Sequence, residues 1–249
     1  KMHYINRKIE SSILEYLKIF PVLGVTGPRQ SGKSTVLKYL LEKDYEYVTF
    51  DDPKLISFFQ DDPELFFKRY AKHIIFDEVQ KVPELFNYIK LKVDNNRSEM
   101  GQFILTGSSQ FSLLKQITES LAGRIGLLSV LPFDSQEIPP AYQTQSVYSG
   151  SYPELIEKHY QYNQQWMSSY INTYIERDVR TLNNVGDLRE FRRLLNLLAT
   201  RVGTLLNLSE LANDLGVAVN TIKRWISVLE ASYIVFLLPP FYQNLGKRL

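Results

Sequence analysis

The sequence predicts an α/β fold, a parallel sheet with helices on both faces, followed by a helical C-terminal module. Three observations predict it. Short apolar runs alternate with stretches of helical periodicity as far as Leu131. The pattern G-x-x-x-x-G-K-[ST] stands at Gly27, Gly32, Lys33 and Ser34, between an apolar run and a helical one. Beyond Gln161 the pattern is helical and no further buried parallel strand is apparent.

Ile9, Ile13, Leu14 and Leu17 fall at helical spacing, which predicts an amphipathic helix over 9–19. Pro21 to Val25 reads as the first strand, the glycine-rich loop follows, and Val36 to Glu42 reads as a helix. Tyr47 to Phe50 is the second strand, stopped by Asp51-Asp52-Pro53. Residues 54–70 are helical with a break at Asp62-Pro63, and His73 to Phe76 is a third, strongly apolar strand. A helix runs from Pro83, where proline suits a first turn, to Asp94. Gln102 to Thr106 is the fourth strand, Phe111 to Leu121 a helix, and Ile125 to Leu131 the fifth strand. Strands alternating in this way with helices imply parallel β-α units. Residues 132–154 hold four prolines and many Gln, Ser and Tyr, which predicts a linker or long surface loop. The resulting division is 1–145, a connector at 146–185, and 186–249.

Composition narrows the class. With 249 residues and 44% hydrophobic content a full core can form. The net charge of +2 does not decide for or against nucleic acid. With no cysteine there is neither disulfide nor thiolate metal site, which suggests a reducing compartment. No apolar run approaches the ~20 residues of a membrane span, and Lys1 to Lys8 lacks the apolar core of a signal peptide. A soluble cytoplasmic protein without membrane contact is expected.

The glycine-rich loop, Gly27-Pro28-Arg29-Gln30-Ser31-Gly32-Lys33-Ser34-Thr35, carries the chemistry. Successive backbone N–H groups at a helix N-terminus wrap a phosphate, and the helix dipole favours its charge. Glycine at 27 and 32 permits unusual dihedrals and close approach. In such a loop Lys33 reaches the β- and γ-phosphates and Ser34 offers its hydroxyl to Mg²⁺. Arg29 either touches phosphate or points to solvent. The third strand ends in Asp77-Glu78, the Walker B arrangement: Asp77 for the Mg²⁺ shell, Glu78 to orient and deprotonate the attacking water. The fourth strand runs into Thr106-Gly107-Ser108-Ser109, where Thr106 and Ser108 compete to contact the γ-phosphate or the water. Arg124 either reaches a neighbouring subunit's nucleotide, as fingers do in ring-forming ATPases, or caps a helix C-terminus.

With these segments, together with Phe76 to Gln80, Leu121 to Arg124, Tyr174 to Val179, and Pro239 to Arg248, the chain resembles the prokaryotic predicted-ATPase family of the AAA+ superfamily. The resemblance covers nearly the whole chain. It implies a P-loop NTPase sheet of five parallel strands in order 5-1-4-3-2, a helical connector and a winged helix; the motif residues call for ATP or ADP with Mg²⁺, and whether the chain forms a homo-oligomer stays open. It also implies a further domain of unknown function after Gly246-Lys247-Arg248, which this chain, ending at Leu249, is expected to lack. The arginine-bearing helical lid of the superfamily is not evident, and Arg177 is the substitute the resemblance suggests.

Phe191 to Thr200 is an amphipathic, leucine-rich helix. Leu208 to Gly216 reads as a short helix with a C-cap glycine, Asn220 as the cap of a helix over 221–231, and Tyr233 to Leu238 as a wing strand. Residues 186–249 hold eight Lys/Arg against five Asp/Glu. Thr221, Lys223, Arg224 and Ser227 are predicted exposed, available to DNA phosphates and base edges. The alternative is a module that packs against a partner, with Trp225 in its core. Two functions stay open: a Mg²⁺-dependent ATPase whose hydrolysis moves the winged helix, and a nucleotide-dependent regulatory or DNA-binding switch with little turnover. A GTPase or small-molecule kinase is weaker, since no Asn-Lys-x-Asp motif or acceptor site is recognisable.

Overall fold

The computed structural model describes residues 4–107, 116–117, 119–175 and 188–239. They fall into two compact units, Lys1–Tyr174 and Ile175–Leu249.

The first unit opens with α1 (Ile9–Ile19). It is followed by β1 (Val22–Thr26), α2 (Lys33–Leu41), β2 (Glu46–Thr49), α3 (Pro53–Asp61), α4 (Pro63–Arg69) and β3 (Ile74–Asp77). A 3₁₀ turn at Val79–Lys81, α5 (Leu85–Asn95), β4 (Phe103–Thr106) and β5 (Ile125–Ser129) complete the sheet-bearing part. The strands form one parallel sheet in order β2-β3-β4-β1-β5, the predicted order read from the other edge. The predicted helix over 111–121 lies largely outside the described residues; 116, 117, 119 and 120 are helical.

Period-two alternation divides the core. Val22, Ile74, Phe76, Phe103 and Leu105 face α3, α4 and α5, while Leu23, Val25, Ile75 and Ile104 face α1 and α2. Both faces being covered, the central strands read as continuous apolar runs. On the first face Phe66, Phe76 and Phe103 stack in series at 6.0 Å. The Asp62-Pro63 break separates two helices as expected: the Asp52 and Asp62 carboxylates cap α3 and α4 by accepting from Lys54 N and Leu65 N, with proline in each first turn.

Residues 132–154 depart from the loop expectation. A 3₁₀ turn (Pro140–Tyr142), α6 (Gln143–Ser149) and α7 (Pro153–Glu157) occupy the segment, followed by α8 (Asn163–Tyr170) and a π-helical turn at Ile171–Ile175. Pro140 and Pro153 begin the 3₁₀ turn and α7, where their missing N–H costs nothing, rather than preventing them. Phe133, Ile138, Leu155, Ile156 and Tyr160 bury a small core of their own.

The second unit packs α9 (Leu188–Thr200), α10 (Leu208–Leu215) and α11 (Val219–Ala231) around Phe191, Leu194, Leu211, Ile222, Trp225 and Leu229. Gly216 ends α10 in the left-handed region at φ 66°. Two expectations fail here. Asn220 is not the cap, because α11 starts two residues earlier than expected, at Val219, with Ala218 in the cap position. Tyr233 to Leu238 forms no strand: a wing strand needs a partner edge, none exists among the described residues of this unit, and Phe236 and Leu238 stand more than four-fifths exposed. No helix among the described residues is long and apolar enough to cross a membrane.

Candidate functional site

The glycine-rich loop sits where β1 ends and α2 begins, at the C-terminal edge of the sheet. Gly27 adopts φ 137°, and a Cβ there would lie 2.2 Å from the Val130 carbonyl oxygen, so no other residue fits without moving the backbone just after β5. Gly32 takes φ 93° as the cap of α2, which turns the first helical N–H groups toward the loop's interior. The buried Lys33 ammonium donates to the carbonyls of Gly27 and Pro28 at 3.0 and 2.8 Å. Burial lowers its pKa to about 8, against the opposing pull of the Glu78 and Asp77 carboxylates.

The parallel register brings the other predicted residues to the same edge. Asp77 ends β3 beside Thr49, and Thr106 ends β4 beside Val25 of β1. The Ser34 hydroxyl donates to Asp77 Oδ2 at 3.2 Å across 43 residues of sequence. Glu78 follows at φ 57°, ψ 38°, a left-handed conformation that costs a non-glycine residue about 1 kcal/mol or more. This turn aims its carboxylate away from the strand, where the Gln80 side-chain amide donates to it. Thr106 is fully buried and its hydroxyl has no hydrogen-bond partner among the described residues, and the same holds for Ser31. An unpaired buried hydroxyl costs about 1–3 kcal/mol. One of them, Ser31, lies within the glycine-rich loop, and the other, Thr106, ends the strand beside β1.

The donor set fits Mg²⁺. Among the described residues there is no group of three or more His, Cys, Asp or Glu that would cage an ion. One hydroxyl and one carboxylate, Ser34 and Asp77, are the sparse set Mg²⁺ uses when phosphates and water supply the rest.

Residues 20–139 match the family model described as AAA domain. The remainder, 142–249, matches a model described as a domain of unknown function (DUF8612). A domain of that description therefore lies inside the chain, where the resemblance had placed one only beyond Leu249. The uncharacterized protein Rv2008c of Mycobacterium tuberculosis is 32% identical over 231 residues, and MJ1544 of Methanocaldococcus jannaschii 25% over 276. The matches take in 92% and 97% of this chain but 52% and 60% of those proteins, so the chain spans just over half their length. Among solved structures, the Walker-type ATPase PABY2304 of Pyrococcus abyssi aligns with TM-score 0.54 at 17% identity, covering 92% of this chain and 90% of that one. ORC2 of Aeropyrum pernix, in its ADPNP–ADP complexes, aligns at 0.52 and 14%, covering 92% and 84%. At these identities both show the fold, that of the P-loop NTPases.

Not every predicted residue joins this edge of the sheet. Ser108 lies outside the described residues, as does Arg177. Arg124 stands at the opposite, N-terminal edge of the sheet, just before β5. Its guanidinium donates twice to the Asp94 carboxylate, at 2.7 and 2.9 Å, and once to the Ala122 carbonyl at 3.1 Å. That hydrogen bonding holds the Asp94 carboxyl down at about 2. Arg124 therefore does not reach its own chain's loop; it caps the preceding helical turn and ties it to α5.

Three neighbours of the loop escaped the sequence. The Tyr47 phenol donates to Asp77 Oδ2, the oxygen that Ser34 also meets, and burial raises its pKa so that it stays protonated. Arg7, buried, donates to Ser31 O at 3.0 Å and to Leu131 O at 2.6 Å, pairs with Glu137 at 3.2 Å, and lies over the Phe133 ring. Tyr170 donates to Arg29 O at 3.3 Å. Nothing in the sequence flags Arg7, because its partner Glu137 is 130 residues away. Tyr47 carried a faint signal: it lies two residues before the end of a strand next to β3.

Proposed function

We propose that the chain binds ATP with Mg²⁺ and hydrolyses it to ADP and phosphate. The observation that supports this most is the Ser34–Asp77 hydrogen bond, which joins the loop serine to the β3 carboxylate directly beside Glu78. In this reading the amides of residues 27–35, with Lys33, bind the phosphates and neutralise their charge. Lys33 exchanges the Gly27 and Pro28 carbonyls for phosphate oxygens. Ser34 and Asp77 hold Mg²⁺, which when bound draws charge from the β- and γ-phosphates. Glu78 accepts the proton of the attacking water, and the Thr106 hydroxyl donates to the γ-phosphate or orients that water. Hydrolysis moves the C-terminal helical unit, the coupled element of this reading. A role for Arg124 in a second copy's site requires its release from Asp94. The Aeropyrum pernix ORC2 complexes with ADPNP and ADP support a nucleotide at this edge.

The test is Glu78→Gln. It keeps nucleotide affinity and lowers phosphate release by at least about 10²-fold. Unchanged steady-state hydrolysis in the variant removes Glu78 from the role of base.

A second reading, a nucleotide-dependent switch with little turnover, is favoured by one observation: the Gln80 amide already engages the Glu78 carboxylate. DNA is its partner, met by the exposed Lys223 and Arg224 of α11. Phosphate release measured with and without duplex DNA separates the two, because a switch shows negligible turnover in both.

A further inference from the structure

We infer that Tyr47 is a positioning residue for the divalent cation: its phenol fixes Asp77 in the orientation that nucleotide-bound Mg²⁺ requires. The inference rests on the nucleotide-site reading above. Tyr47 of β2 is registered against Ile75 of β3, and Asp77 lies two residues further on. Residues two apart share a sheet face, so Tyr47, Ile75 and Asp77 all project toward α2, with Ser34 in its first turn. Two residues of strand rise roughly 6.6 Å. A tyrosine at 47 spans that distance to the strand end, and a shorter side chain there does not. Thr49, directly beside Asp77, has its hydroxyl engaged elsewhere, accepting from Asp51 N at 3.2 Å.

The result is one carboxylate oxygen, Asp77 Oδ2, with two hydroxyl donors, the Tyr47 phenol and Ser34 Oγ. The phenol is itself immobilised. Its ring packs against the cluster that holds Ile75, Leu37 and Leu41, and the Lys38 ammonium lies 3.8 Å from the ring centroid. A rigid donor behind a ligand carboxylate sets that ligand's rotation, and loss of such a partner costs about 10–100-fold in metal affinity.

Tyr47→Phe keeps the packed ring and removes only the hydroxyl. Binding of a fluorescent ATP analogue to the full chain, titrated with Mg²⁺ and repeated in EDTA, reads the effect. The variant needs about 10-fold more Mg²⁺ for half-maximal tightening. Its affinity in EDTA and its melting temperature in EDTA stay at the wild-type values. An unchanged Mg²⁺ requirement overturns the inference, and so does an equal loss of affinity with and without Mg²⁺, which marks a packing role. Wild-type protein whose nucleotide affinity ignores Mg²⁺ refutes the underlying site reading before any variant is made.

Discussion

The Lys33 ammonium closes the loop on itself, donating to Gly27 O and Pro28 O at 3.0 and 2.8 Å. The lysine is thus buried and satisfied by neutral carbonyls, which compensate poorly for lost water; its pKa falls to about 8. A phosphate in the loop restores the preference for the charged form. Nucleotide affinity is therefore flat below pH 8 and weakens above it, by about tenfold per pH unit until the bound-state pKa is reached. Calorimetric or fluorescence titrations between pH 7 and 9.5 measure this, and Lys33→Met removes the dependence along with most of the affinity. Folding runs the other way. The unfolded lysine titrates at its ordinary 10.5, so Lys33 burial destabilises the ligand-free fold below pH 8, and the penalty is relieved as pH rises from 8 toward 10.5.

Thr106 gives a test in which stability and activity move apart. Its hydroxyl is buried and has no partner among the described residues of the ligand-free protein. Thr106→Val keeps the branched shape and deletes the orphan group, so the melting temperature holds or rises, corresponding to as much as about 1 kcal/mol. Turnover falls if the hydroxyl meets the γ-phosphate or the attacking water. A drop in stability with unchanged turnover assigns Thr106 to packing.

Gly27→Ala separates backbone geometry from side-chain chemistry. The added Cβ meets Val130 O at 2.2 Å with φ at 137°. Relief requires shifting the loop or the backbone just after β5, at a cost of about 1–3 kcal/mol from the dihedral alone. The expected outcome is a lower unfolding midpoint together with weakened nucleotide binding, while the Glu78→Gln protein binds normally.

These residues also show what the chain declares in advance. Gly27, Lys33, Ser34, Asp77 and Glu78 were legible because loop chemistry is local and because a strand carries its last residues to a predictable edge. The sheet order came with the family resemblance, and the parallel register then placed Thr106 beside β1. What stayed hidden depends on long-range packing. Arg7 reaches Ser31 O and Glu137 only after the segment following β5 folds back on the N-terminus. The helices at 143–157 looked like a linker because Ser, Gln and Tyr dominate, yet a few residues, Phe133, Leu155 and Ile156 among them, suffice to bury a local core. Arg124 was ambiguous for the opposite reason: a charged residue before a strand is compatible with several partners, and within this chain it pairs with Asp94 on α5.

The C-terminal helices carry the last prediction. Phe191 meets the buried Trp225 edge-on at 5.8 Å, so α11 is oriented by its apolar face, and Lys223, Arg224 and Ser227 are turned outward. Two cations on adjacent positions form a small electrostatic footprint, enough to meet phosphates but not to read sequence. If α11 meets DNA, replacing Lys223 and Arg224 together by alanine weakens binding uniformly across sequences. It also lowers the magnitude of the slope of log K against log salt by about 2, one for each phosphate left without its cation. The substitutions remove nothing from the core, so the melting temperature is unchanged. Duplex binding that shows no salt dependence, or that survives the double substitution with its slope intact, assigns this helix to protein packing instead. Repeating the titration with ATP and with ADP then shows whether the nucleotide bound at Gly27 to Thr35 alters DNA affinity, as the switch reading requires.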